Sequence, residues 1–138
     1  MRKFVLPSLV LLFLTGFLML PPLATAQSDP EQPVVQAVLF YSPTCPHCHE
    51  VIKNLLIPMI DQYGDQLQII GIDITQAEGN QLYQVAIEHY QIPEERRGVP
   101  TLIVGDVVLV GSGEIPAKFP TMVKDLLAAD GIGWPDIP

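Results

Sequence analysis

The chain has 138 residues, 49% of them hydrophobic and 16% charged, with a net charge of −8. Once an export segment is set aside, that length holds one domain with a real core and too little chain for two. The acidic balance argues against nucleic acid or an anionic membrane surface as the main partner, and a single pair of cysteines cannot staple a disulfide-dense scaffold.

Arg2 and Lys3 form a positive start, residues 4–20 are an apolar stretch, and Pro21-Pro22 leads into Ala24-Thr25-Ala26, a small-x-small cleavage pattern. Residues 1–26 therefore read as a secretory signal peptide cut before Gln27. An uncleaved membrane anchor stays open, because about 20 apolar residues suffice to span a bilayer. Either reading puts the rest of the chain in an extracytoplasmic, oxidising space: periplasmic, secreted, or on the outer face of a membrane. Residues 27–33 read as a flexible leader and 34–138 as the folded domain. That domain keeps Lys53, Arg96, Arg97, Lys118 and Lys124 against all 15 acids.

Residues 34–41 are nearly continuously apolar, as expected of a strand buried on both faces. Val51, Ile52, Leu55, Leu56, Met59 and Ile60 fall at helical spacing, with Pro58 expected to kink that helix near Leu56 or Ile57 and Tyr63-Gly64-Asp65 to stop it. Residues 67–74 read as a second strand. Leu82, Val85, Ala86 and His89 predict a second helix over about residues 78–90. Residues 101–104 and 107–110 are short β-rich runs around Gly105-Asp106, a hairpin signal. Gly111-Ser112-Gly113 is expected to break the chain. Phe119, Met122, Val123, Leu126 and Leu127 then mark a last helix ending near Gly131, with Pro116 and Pro120 at its ragged start. The order is βαβ followed by ββα, which predicts an α/β domain with a central four-stranded mixed sheet flanked by helices.

The chemistry-bearing motif is Cys45-Pro46-His47-Cys48, between the first strand and the first helix. Two thiols at this spacing can close a small disulfide ring. A helix N-terminus beside them favours a thiolate, through its unpaired N–H groups and its dipole. A second class of function stays open, since Cys45 to His49 also fits C-x-x-C-H, the c-type haem attachment pattern, with His49 and Met59 or Met122 as axial ligands. A soft-metal carrier using both thiolates and a histidine is a third, though no further ligand cluster accompanies them. Arg96 and Arg97 read as a solvated loop pair or as a source of positive potential near the cysteines.

The element order, the cysteine pair and Gly98-Val99-Pro100-Thr101 before the third strand together resemble the thioredoxin-like superfamily. The resemblance covers residues 34–130. The Pro46-His47 dipeptide and the Val99-Pro100 pair are similar to those of DsbA-type oxidases. The resemblance implies an extracytoplasmic thiol–disulfide oxidoreductase, an oxidase of secreted proteins or alternatively a reductase, with no cofactor and no metal. It implies that Cys45 is the nucleophile and Cys48 resolves the mixed disulfide. His47 would stabilise the Cys45 thiolate, and Pro46 would stiffen the turn. Val99–Pro100 would be cis, with Val99, Pro100 and Thr101 flanking the substrate strand. Partners would be protein thiols and disulfides, plus a recycling partner such as a membrane quinone-linked disulfide generator or a reductant. A monomer is expected. The chain departs from its relatives at Thr44, where thioredoxins carry Trp, and at Leu39, where many carry a buried acid. Residues 74–100 leave no room for the helical insertion of DsbA.

Overall fold

The computed structural model describes residues 32–138; the expected signal or anchor segment lies outside the described residues, as does most of the leader. The elements are β1 (Val34–Tyr41), α1 (Pro46–Val51), a π-helical turn (Ile52–Leu56), α2 (Ile57–Tyr63), β2 (Leu67–Asp73), α3 (Ala77–His89), β3 (Thr101–Val104), β4 (Val107–Val110), α4 (Gly111–Ala128) and β5 (Gly131–Ile132). Among the described residues, no helix is long and apolar enough to cross a membrane.

The sheet runs β2-β1-β3-β4. β1 and β2 are parallel, with Val35 opposite Leu67 and Tyr41 opposite Asp73, so the helical stretch between them is the crossover that a parallel pair requires. β1 is antiparallel to β3, and β3 to β4. The two-residue β5 adds a short parallel pairing with Val34 and Val35 that the sequence pattern does not signal. This mixed sheet with helices on both faces is the thioredoxin-like architecture.

The apolar run of β1 is explained by burial on both sides. Val35, Ala37 and Leu39 pack with Val51, Leu56 and Met59 and with Ile115, Phe119 and Val123 of α4. Val38 and Phe40 pack on the opposite face with Tyr83, Ala86 and Ile87 of α3. Alternate residues of a strand point to opposite faces, so one strand serves two cores. At about 1.5–3 kcal/mol for each fully buried large side chain, β1 is the spine of the domain. Gly105 opens the β3–β4 turn at φ 53°, and a side chain there would collide with Ile132.

Two helices differ from the sequence pattern. The first begins at Pro46, not after the cysteines, because Cys45 is its N-cap and Pro46 its first residue, a position where proline's missing N–H is not needed. Pro58 is absorbed by the π-helical turn, in which the Ile57 N–H bonds to the Ile52 carbonyl; the wider turn makes room for a ring that would clash with the carbonyl four residues back. The last helix starts at Gly111, so Pro116 and Pro120 lie in its interior. The carbonyls of Ser112 and Pro116 lose their i+4 donors there. Complete burial of Ile115 and Phe119 on the sheet holds the helix in spite of that loss.

Candidate active site

Cys45 and Cys48 stand as free thiols at the C-terminal end of β1, the first partly exposed and the second fully buried. Cys45 caps α1: its Sγ accepts the backbone N–H of Cys48 at 3.2 Å. That is one of the orphan donors of a helix N-terminus, aimed at the atom that carries charge when the thiol ionises. The Cys45 thiol also lies 3.7 Å from the Val99 carbonyl. Burial, followed by the hydrogen bond to Cys45, pushes the Cys48 thiol up to about 11. The two sulfurs therefore differ in access, one reachable and the other enclosed.

An apolar groove lies beside the motif. Leu39 is almost fully buried and stands in register with Gly71. These two residues, with Tyr41, Pro43, His49, Ile52, Ile57 and Ile69, line a cavity of about 450 Å³ beside the motif. No carboxylate is present among its lining residues.

The facing wall is the loop before β3. The Val99–Pro100 peptide is cis. No backbone hydrogen bond of the Val99 N–H occurs among the described residues. Pro100 is buried. Thr101 is fully buried, and its hydroxyl bonds to the Gly98 carbonyl, so its side chain shapes the loop from within. Tyr83 completes this brace, accepting the Gly98 N–H and donating to the Gly98 carbonyl, both at 2.8 Å.

His47 is exposed, with Nδ1 at 3.2 Å from Ser112 Oγ and 3.9 Å from Glu50 Oε2. The arginines are engaged elsewhere. Arg96 pairs with Glu114 at 2.7 Å and donates to the Val108 carbonyl, and Arg97 donates to the Ile92 carbonyl, while both residues stay exposed to solvent as the reading of a solvated loop pair expects. Cys45, Pro46, His47 and Cys48 thus meet Val99 and Pro100 at one end of the sheet. Tyr83, Ser112 and Glu114 carry no motif and were not legible as site neighbours.

The haem alternative does not fit this geometry. Thioether attachment needs both sulfurs at a surface, whereas Cys48 is fully buried and Met59 lies inside the core. Among the described residues, no three His, Cys, Asp or Glu side chains converge to hold a metal ion.

No protein-family model matches the chain, and no curated protein sequence matches it significantly. Solved structures similar to it include mitochondrial thioredoxin 3 from Saccharomyces cerevisiae in its oxidised form, at 19% identity and a TM-score of 0.49, covering 69% of this chain and 81% of that one. Oxidised thioredoxin O2 from Arabidopsis thaliana aligns at 17% identity and a TM-score of 0.48, covering 69% and 76%. A buckwheat glutaredoxin–glutathione complex aligns at 19% identity and a TM-score of 0.43, covering 69% and 77%. The assignment of the thioredoxin-like fold is carried by the strand order and by the helix-capping cysteine, independently of these distant alignments.

Proposed function

We propose that this protein is an extracytoplasmic thiol–disulfide oxidoreductase that works as an oxidase of exported proteins. The observation that carries the reading is the asymmetry of the pair: Cys45 is reachable and caps a helix, while Cys48 is buried with its thiol pushed up to about 11. In the oxidising direction, a substrate thiolate attacks Cys45 of the Cys45–Cys48 disulfide. The S–S bond breaks, and Cys48 leaves with the electron pair and takes up a proton. A second substrate thiolate then attacks the substrate sulfur of the mixed disulfide and expels the Cys45 thiolate. The substrate departs oxidised by two electrons, and the protein is left as a dithiol.

Stabilising the expelled Cys45 thiolate makes the disulfide a stronger oxidant; the Cys48 N–H that reaches Cys45 Sγ supplies such stabilisation, and the imidazole of His47 is proposed to add to it. The Val99 N–H, which has no backbone partner among the described residues, is available to hold the backbone of an extended substrate segment, as in β-augmentation. The chain has no third cysteine to relay electrons. Reoxidation is therefore intermolecular, and a membrane quinone-linked disulfide generator is the proposed partner. The export signal read in residues 1–26 supports the compartment.

The test is trapping. Cys48→Ala should accumulate mixed disulfides with reduced exported proteins, while Cys45→Ser should form none and lose turnover. Full oxidase activity in Cys45→Ser would overturn the proposal.

A further inference from the structure

The N-terminal end of α4 is tied to the site at two points. The Gly111 N–H donates to the Pro100 carbonyl at 2.8 Å, which anchors the helix to the loop carrying Val99. The next residue, Ser112, places Oγ 3.2 Å from Nδ1 of His47, 65 residues earlier in the chain. With the 3.7 Å approach of Cys45 to the Val99 carbonyl, these contacts close a ring through Cys45, Val99, Pro100, Gly111, Ser112 and His47. His47 is otherwise exposed, and Glu50 at 3.9 Å is the charged group facing it from its own helix.

We propose that Ser112 is a positioning residue that sets the redox poise of the cysteine pair through His47. A serine hydroxyl either donates to an unprotonated imidazole nitrogen or accepts from a protonated one. In the second arrangement Nδ1–H donates to Ser112 Oγ, with the Glu50 carboxylate 3.9 Å from the same nitrogen. Ser112 then holds the ring of His47, two residues from Cys45 in the chain, in one orientation. A cation held there stabilises the Cys45 thiolate, hence the reduced protein, and makes the disulfide more oxidising. Among the described residues Ser112 makes no hydrogen bond to either sulfur, and its effect passes through the imidazole.

The inference rests on the proposed redox role of the pair, and the experiment separates the two. The full-length protein, Ser112→Ala, Ser112→Thr, His47→Phe and the Ser112→Ala/His47→Phe double variant are equilibrated in glutathione buffers. The dithiol and disulfide forms are then counted by thiol trapping and mass. Ser112→Ala should shift the equilibrium toward the disulfide by about threefold, equivalent to a potential lower by about 14 mV. Ser112→Thr, which keeps the hydroxyl, should restore the original poise. In the His47→Phe background, Ser112→Ala should change nothing further. No shift, a shift toward the dithiol, or a shift that persists without His47 would overturn the assignment. A wild-type pair that never equilibrates with glutathione would remove the proposed function itself, and this inference with it.

Discussion

Tyr83→Phe isolates one hydroxyl, because the ring that packs on Phe40 at a centroid distance of 5.0 Å is kept. That hydroxyl serves both polar groups of Gly98, each at 2.8 Å, in the loop that faces Cys45. After the substitution the Gly98 carbonyl still receives the Thr101 hydroxyl. The Gly98 N–H has no replacement and sits in a half-buried loop. Losing one net hydrogen bond and leaving one partly buried donor unmade costs about 1.5–2 kcal/mol. For a domain of this size, that lowers Tm by roughly 6–10 °C. Urea and thermal melts read the stability. A second readout separates brace from bulk: the rate of mixed-disulfide formation should fall more for an extended peptide thiol than for 2-mercaptoethanol, which has no backbone amides to pair with Val99. A loss below about 0.5 kcal/mol, or equal slowing with both thiols, would refute this account of the loop.

The pH response of the reduced protein has a definite sign. Burial raises the folded Cys48 thiol to about 11, so its contribution to stability is full below the usual thiol range and is lost as pH rises toward that value. Urea midpoints of the reduced protein should fall over that window, and those of Cys48→Ala should fall less. At neutral pH, iodoacetamide should therefore modify Cys45 and spare Cys48, as peptide mass mapping would show. Glu114 behaves oppositely: hydrogen bonds from Lys118 and the Val110 N–H, with Arg96 alongside, hold its carboxyl below the usual range. Glu114→Gln should cost about 1–2 kcal/mol at neutral pH. The difference from wild type should fade as acid protonates the carboxylate, a pattern that urea midpoints at several pH values would reveal. Gly79→Ala drives a methyl into the Asp73 carbonyl. It should destabilise by about 1–3 kcal/mol in denaturant melts if α3 cannot shift.

Local signals in the sequence matched the elements whose structure is locally decided. Gly105-Asp106 between two β-branched runs marks the β3–β4 turn at its observed place, and the period-free apolar run of β1 marks a strand buried on two faces. The cysteine motif is legible because both thiols and the helix start lie within four residues. Less legible was whatever depends on tertiary packing. Gly111, Gly113, Pro116 and Pro120 each argue locally against a helix, yet the sheet buries Ile115, Phe119 and Val123 and carries α4 through them. Helix propensity is a weak prior against such burial. The π-helical turn hides behind a kink expectation, since the same proline supports either. Tyr83 and Ser112 belong to the site only by contacts 15 and 65 residues apart in the chain, which no spacing pattern reveals.

The central claim is that Cys45 and Cys48 form a working redox couple, and equilibration of the purified protein across glutathione redox buffers tests it most directly. The account predicts a reversible two-electron transition between dithiol and disulfide, with a potential nearer the roughly −120 mV of a strong oxidant such as DsbA than the roughly −270 mV of thioredoxin. A reversible couple at the thioredoxin end would contradict the oxidase direction. Thiols that stay reduced across the whole series would contradict the redox reading itself.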